Sequence, residues 1–188
     1  MEEMILASGS PRRSELLAQI GIPFRVVKSN APEIITKKDP AEIVEELSAQ
    51  KAAAVAESVQ NGIILGADTI VTIDGEILGK PADRRAAAGM LKQLSGRAHA
   101  VFTGVTLIRK KDGKEQARRN FYRKTLVYVH EMSEQEMNAY LDTGDGADKA
   151  GSYGIQGPFA AYIDRIEGDY NNVVGLPIAA VYQELKDF

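Results

Sequence analysis

The first half of the chain alternates between short apolar runs and segments with helical spacing. The run Met4–Leu6 predicts a buried strand, and the apolar residues that follow predict a helix from about Pro11 that stops at Gly21. Residues 24–27 predict a second strand. A second helix is expected to begin at the capping box Asp-Pro-Ala-Glu, residues 39–42, and to continue into an alanine-rich segment. This order of elements is typical of an α/β protein.

The middle of the chain predicts a central strand followed by a hairpin. Residues 63–65 are continuously apolar, as expected of a strand covered on both faces. Two further strands, residues 69–73 and 76–78, flank the dipeptide Asp-Gly at residues 74–75, which is a strong hairpin signal. A helix over residues 82–94 then carries its apolar side chains on one face.

Longer alternating strands follow at residues 101–109 and 121–130. A polar tip at residues 111–114 joins them, which predicts an antiparallel pair. This hairpin carries four basic residues, Arg118, Arg119, Arg123 and Lys124. Nucleic-acid binding is therefore an alternative function, but aromatic residues do not alternate with the charges as stacking platforms require. We expect no nucleic-acid partner.

The last third of the chain predicts shorter elements. A second capping box at Ser133 begins a helix to about Leu141, and a glycine-rich stretch leads to a strand near residues 159–163. A final helix follows Pro177. The whole pattern predicts an α/β fold with a mixed twisted sheet, in two lobes around a cleft. No linker separates independent domains, so residues 1–188 are expected to form a single domain.

Composition narrows the classes of function. The net charge of −3 gives no overall field that would attract nucleic acid, so an anionic ligand needs a local basic site. The 188 residues include no cysteine and only two histidines, which excludes disulfides, thiolate zinc sites and a cysteine nucleophile. Neither an export signal nor an apolar run of about 18 residues is present. We therefore expect a cytoplasmic protein with no membrane partner.

The turn after the first predicted strand carries groups that could bind an anion. In the segment Ser-Gly-Ser-Pro-Arg-Arg, residues 8–13, Ser8 and Ser10 offer hydroxyl groups and the glycine between them lets a ligand approach the backbone. The helix start adds free N–H groups, and Arg12 and Arg13 add two permanent charges. A capped helix with two solvated arginines is the alternative explanation of this segment.

Two further motifs carry charged groups. Asp68 lies in Gly-Ala-Asp-Thr and is expected just beyond the carboxyl end of the central strand, where ligands of open α/β sheets bind. A carboxylate there can bind a divalent metal or accept a proton from water, although a turn aspartate explains the tetrapeptide equally well. Lys80, between glycine and proline, would return toward Asp68 at the end of the hairpin. An exposed lysine at a strand end is its alternative explanation.

Residues 148–157, Asp-Lys-Ala-Gly-Ser-Tyr-Gly-Ile-Gln-Gly, form the densest unusual segment. Three evenly spaced glycines accompany Lys149, Ser152 and Gln156, which indicates a backbone that approaches a ligand and presents polar groups to it. A tight structural loop would explain the glycines but not the whole polar set.

These motifs share the chemistry of phosphoanhydride hydrolysis. The basic residues suited to neutralising a polyphosphate are Arg12, Arg13, Lys80 and Lys149. Asp68, together with Glu33, supplies carboxylates for a metal and a water. The chain contains no Gly-x-x-x-x-Gly-Lys-Ser/Thr motif, so we do not expect an ordinary P-loop NTPase.

On these motifs the chain resembles the Maf family of nucleoside triphosphate pyrophosphatases, also called septum formation inhibitor proteins. Five segments match in family order: residues 8–13, 66–69, 79–81, 148–157 and 168–177. The resemblance implies a two-lobed fold like that of the inosine triphosphate pyrophosphatases, with the nucleotide between the lobes. It also implies hydrolysis of a nucleoside triphosphate to the monophosphate and pyrophosphate with a divalent cation, Mg²⁺ or Mn²⁺, and it is compatible with a homodimer.

The resemblance also implies roles for individual residues. Asp68 matches the family's proton acceptor and, with Glu33, its metal site. The positions implied to bind the substrate are Ser8, Ser10, Arg13, Lys51, Lys80 and Lys149.

Three positions bear on the choice of base. Arg12, Thr69 and Gln156 match the branch of the family that prefers dTTP and UTP, whereas a branch with Trp and Gln at the first two positions prefers 7-methyl-GTP. A cation with polar partners suits the edge of a pyrimidine, and an aromatic ring suits stacking on a methylated purine. We therefore expect hydrolysis of dTTP, UTP and modified pyrimidine triphosphates. The alternatives are a 7-methyl-GTP pyrophosphatase and a nucleotide-binding regulator of cell division.

Overall fold

One mixed sheet forms the framework of the protein. The computed structural model describes residues 2–188. The strands are β1 Met4–Leu6, β2 Phe24–Val26, β3 Gly62–Ile73, β4 Glu76–Leu78, β5 Ala98–Lys111, β6 Lys114–Val129 and β7 Ile163–Glu167. Their order is β2-β1-β3-β5-β6-β7, with β4 also paired to β3. Strand β1 runs parallel to β2 and β3, whereas β4 and β7 pair antiparallel. The expected α/β class with a mixed sheet is confirmed.

The described residues also form six α-helices and two short 3₁₀ helices. The helices are α1 Pro11–Gln19, α2 Pro40–Ala56, α3 Arg84–Leu94, α4 Glu134–Asp142, α5 Tyr170–Val174 and α6 Ile178–Lys186, with 3₁₀ turns at Ala150–Ser152 and Pro158–Tyr162. Asp39 accepts hydrogen bonds from the first turn of α2, which is the N-cap half of the predicted capping box, and Ser133 forms the full reciprocal capping box with Glu136. Within residues 2–188, no helix has both the length and the apolar character needed to cross a bilayer.

Two predicted boundaries are wrong. The expected strands at residues 63–65 and 69–73 are one continuous strand, β3, so Asp68 lies within a strand and neither beyond its end nor in a turn. The expected strand near residues 159–163 is a 3₁₀ helix instead, because Pro158 has a backbone suited to a helix start, and β7 begins only at Ile163.

The chain divides into two compact units. The first unit comprises the described residues up to Asp68, with Thr103–Arg123 and Gly175–Phe188, and the second comprises Thr69–Phe102 and Lys124–Val174. In the first unit, α2 packs on the sheet through a buried apolar cluster: Ile5, Ala7, Ala52, Val55, Ala56, Val59, Ile64 and Ile108. In the second unit, Phe159 is fully buried and lies among the rings of Tyr140, Tyr153 and Tyr162. The organisation of the chain as a single domain stays a prediction.

Two glycines bring helix α2 unusually close to the sheet. A Cβ atom on Gly66 of β3 would lie 2.4 Å from the Ser48 carbonyl oxygen, and one on Gly104 of β5 would lie 2.2 Å from the Val44 carbonyl oxygen. Only glycine permits this approach, since both contacts are with helix backbone. Alternate residues of a strand share a face, so Asp68 projects from β3 on the same side as Gly66. Helix α2 therefore passes directly over the carboxylate.

Candidate active site

The first unit places one ammonium group between two carboxylates. Lys51, on α2, donates a hydrogen bond to Asp68 Oδ1, and its Nζ lies 2.9 Å from Glu33 Oε1. The Lys51 and Asp68 side chains are 17% and 11% exposed, whereas Glu33 is 60% exposed. Burial of a charged carboxylate is costly unless a partner compensates it, so Lys51 makes the mid-strand position of Asp68 tolerable.

The loop that contains Glu33 is hydrogen-bonded to helix α2, which positions Glu33. The Gln50 side chain forms two hydrogen bonds with the backbone of Ile34, accepting from its N–H at 3.0 Å and donating to its carbonyl at 2.6 Å. Glu46 accepts a hydrogen bond from the Thr36 N–H at 2.9 Å, and hydrogen bonds from Thr36 hold the pKa of Glu46 below its ordinary value. Sequence reasoning missed Gln50 and Glu46, because nothing in the local pattern links them to residues 34–36.

Ser8 and Arg13 form a second polar group in this unit. Ser8 is buried, and its Oγ accepts hydrogen bonds from the Ser10 N–H at 3.2 Å and from Arg13 Nη1 at 3.1 Å. Arg13 Nε also donates to the Gly175 carbonyl at 2.8 Å. Burial lowers the pKa of Arg13, while the negative charge of Asp68 opposes that change. The guanidinium group is thus oriented by Ser8 and Gly175, within electrostatic range of Asp68.

Helix α1 begins beside this group. Ser10 is its N-cap residue, but the Ser10 side chain makes no capping hydrogen bond. A helix N-terminus carries a partial positive charge and attracts anions. Arg12, in the first turn, is partly exposed.

The other predicted residues lie in the second unit. Lys80 is exposed after β4, and the Gly151 N–H donates to the Gly79 carbonyl at 3.2 Å, which joins the glycine-rich loop to the segment that carries Lys80. Lys149 is already paired, with its Nζ 2.9 Å from Asp148 Oδ1 and 3.6 Å from Asp145 Oδ1. Gln156 is exposed, and Thr69 on β3 is partly buried.

A buried histidine supports the glycine-rich loop from within the second unit. His99 Nε2 lies 2.7 Å from the hydroxyl oxygen of Tyr153, and the two rings meet edge to face. Both residues are buried. His99 therefore acts as a buried partner of the loop that contains Gln156.

Because His99 is buried beside Tyr153, we expect the folded protein to lose stability in mild acid. Burial lowers the pKa of His99 from 6.5 to about 4, so between these pH values the unfolded chain binds a proton that the folded chain does not. The stabilisation is complete above about pH 6.5 and is lost as the pH falls toward 4. We expect wild-type protein to lose about 3 kcal/mol of unfolding free energy over this range from His99, measured by urea denaturation.

The exposed His130 supplies the control for this measurement. His99→Gln should show a shallower pH dependence than wild type, whereas His130→Gln should follow wild type. Parallel curves for wild type and His99→Gln would contradict the role assigned to His99.

Glu33 and Asp68 are the residues of the first unit that could hold a divalent cation. Within residues 2–188, no group of three or more His, Asp or Glu side chains could hold a metal alone. Glu33 and Asp68 nevertheless converge on the same ammonium group. Mg²⁺ is commonly held by one or two carboxylates together with substrate phosphates, so this donor set suits such an ion.

Comparisons with known proteins identify the relatives of this chain. A family model described as "Maf-like protein" matches residues 3–188. A protein from Bacillus cytotoxicus named dTTP/UTP pyrophosphatase is 51% identical over 189 residues, covering 100% of this chain and 96% of the relative. A protein of the same name from Agathobacter rectalis is 48% identical over 199 residues, covering 99% and 97%.

Solved structures show the same fold. The HAM1 protein from Coxiella burnetii aligns over 100% of both chains with a TM-score of 0.56 and 14% identity. The Ham1 protein from Staphylococcus aureus aligns over 68% of this chain and 72% of its own, with a TM-score of 0.50 and 14% identity. At this identity the similarity concerns the fold alone. The family-model match and the two full-length relatives decide the family, and the chain belongs to the Maf-like protein family.

Proposed function

We propose that this protein hydrolyses dTTP and UTP to the nucleoside monophosphate and pyrophosphate. The observation that carries the proposal is the enclosed Asp68 carboxylate, paired with Lys51 beside Glu33 and within electrostatic range of Arg13. A simple anion-binding site has no need of an enclosed carboxylate, whereas hydrolysis needs a proton acceptor. The names of the full-length relatives support the choice of substrates.

In the proposed reaction, Asp68 activates the attacking water. Lys51 engages Oδ1 of the carboxylate, which leaves Oδ2 to accept the proton. The water oxygen forms a bond to the α-phosphorus, the bond from that phosphorus to the bridging oxygen breaks, and pyrophosphate leaves. The hydrogen bond from the Lys51 ammonium fixes the orientation of the carboxylate while the substrate binds.

Basic groups position the polyphosphate. Ser8, Ser10 and Arg13 would bind phosphate oxygens at the start of α1, where the helix dipole adds to the attraction. A divalent ion held by Glu33 and Asp68 would neutralise further phosphate charge. We propose that Lys80 and Lys149 of the second unit also contact the substrate, Lys149 after exchanging its carboxylate partners for phosphate.

Base selection is proposed to depend on Arg12, Thr69 and Gln156. If these side chains bind the polar edge of thymine or uracil, kcat/KM for dTTP and UTP should exceed that for ATP, GTP and 7-methyl-GTP by at least about tenfold, because an unmade buried hydrogen bond costs about 1–3 kcal/mol. Arg12→Trp combined with Thr69→Gln should reduce this preference. The measurement is a nucleotide panel with Mg²⁺ or Mn²⁺ and separate detection of pyrophosphate and orthophosphate.

Labelled water checks which bond is cleaved. Reaction in ¹⁸O-water should place the label in the nucleoside monophosphate and leave pyrophosphate unlabelled. Orthophosphate as a primary product would contradict the proposed reaction, and a preference for 7-methyl-GTP would contradict the proposed substrates. Nucleotide binding without any turnover would favour the regulatory alternative.

A further inference from the structure

Lys28 lies beside the turn that begins the candidate site. Strands β1 and β2 pair in parallel with Leu6 opposite Val26, and the Val27 N–H donates to the Leu6 carbonyl at 3.0 Å. Continuing this register by two residues places Lys28 next to Ser8. The contact is close, because a Cβ atom on Gly9 would lie 3.0 Å from Lys28 Cε and 3.3 Å from its Cδ and Cγ.

The position of the Lys28 side chain depends on the absence of a side chain at Gly9. A larger residue at position 9 would displace the aliphatic part of Lys28, so Gly9 lets that part lie across the turn and brings the ammonium group to its edge. Within residues 2–188, no carboxylate forms an ion pair with Lys28. By contrast, Lys51 and Lys149 are each compensated by two carboxylates. Lys28 is therefore a positive charge held at the turn without a carboxylate partner among residues 2–188.

The strand order decides which part of a substrate Lys28 would meet. Because β1 lies between β2 and β3, Lys28 and Asp68 flank the Ser8 turn on opposite sides. Adjacent strands are about 4.8 Å apart, so these flanks are separated by roughly 10 Å. A triphosphate with its α-phosphorus at Asp68 that crosses the turn would extend its outer phosphates toward β2.

We propose that Lys28 binds the β- and γ-phosphates of the substrate, the part that leaves as pyrophosphate. This inference rests on the proposed function, because it takes Asp68 as the group beside the attacked phosphorus. Lys28 makes a charge-assisted contact with the leaving group and none with the nucleoside monophosphate. The segment around Lys28 contains no phosphate-binding motif, so only the pairing of β1 with β2 brings it to this position.

The test compares Lys28→Met with Lys38→Met. Methionine preserves the apolar contact with Gly9 and removes the charge, and Lys38 is an exposed lysine of the same unit with no role in the site. Calorimetric titration with inorganic pyrophosphate in the presence of Mg²⁺ should show about tenfold weaker binding for Lys28→Met than for wild type. Binding of thymidine monophosphate should stay within about twofold of wild type. Lys28→Arg should retain pyrophosphate binding, and Lys38→Met should match wild type for both ligands.

Kinetic measurements distinguish a failure of the Lys28 assignment from a failure of the proposed function. The KM for dTTP should rise in Lys28→Met by about the same factor as the pyrophosphate dissociation constant. Unchanged pyrophosphate binding in Lys28→Met, or an equal loss for pyrophosphate and thymidine monophosphate, would overturn the role of Lys28. If wild-type protein hydrolyses no nucleoside triphosphate while Lys28→Met still loses pyrophosphate binding, the proposed function fails and the Lys28 site stands.

Discussion

Replacement of Asp68 by asparagine is expected to lower kcat for dTTP by at least about 100-fold while the fold survives. Asparagine has nearly the same shape but cannot accept the proton of the attacking water. It also leaves the Lys51 ammonium paired with Glu33 alone, which limits the cost of the change to stability. The measurement is steady-state pyrophosphate release, with thermal unfolding recorded in parallel.

Asp74→Asn is the matched control for this change. Asp74 lies in the turn at the end of the same strand, pairs with Arg97 on the surface and has a positive φ of 51°, which asparagine tolerates. This variant should retain wild-type kcat. An Asp68→Asn protein with more than about a tenth of the wild-type rate would remove Asp68 from the role of proton acceptor.

Gly66→Ala is expected to destabilise the protein by about 3 kcal/mol and to reduce activity as well. Its Cβ atom would lie 2.4 Å from the Ser48 carbonyl and 2.7 Å from the Ala52 N, both in the backbone of α2, so the helix must move away from β3. Lys51 lies between these two helix positions, and its contact with Asp68 depends on the same close packing. Urea denaturation measures the change in unfolding free energy, and pyrophosphate release measures the change in rate.

Gly89→Ala is the matched control, because the same substitution is expected to stabilise the protein at this position. Gly89 is exposed within helix α3, and a Cβ atom there would meet no atom within 4 Å. Alanine is the better helix former, so this variant should gain about 0.5–1 kcal/mol of stability and keep its activity. A Gly66→Ala protein as stable as wild type would show that α2 does not need the glycine to reach Asp68.

Elements with local signals can be predicted from the sequence alone. The Ser133 capping box and the Asp-Gly turn after β3 were predictable, because a cap or a tight turn depends on residues within a few positions of one another. The alternation of strands and helices, and with it the α/β class, followed from apolar spacing. The motifs also singled out Arg13 and Asp68 as candidates, but they did not show what these residues contact.

The arrangement of the charged groups depends on contacts that form only when the chain folds. A lone aspartate inside an apolar strand looked like a break in the strand, because its partner Lys51 comes from α2 and reaches it across the contact at Gly66. Gln50 and Lys28 gave no signal in the sequence for the same reason. The Gln50 side chain acts on a loop sixteen residues away, and Lys28 reaches the turn through the register of two strands. Helix packing and strand pairing join residues that are distant along the chain, and these contacts form the candidate site.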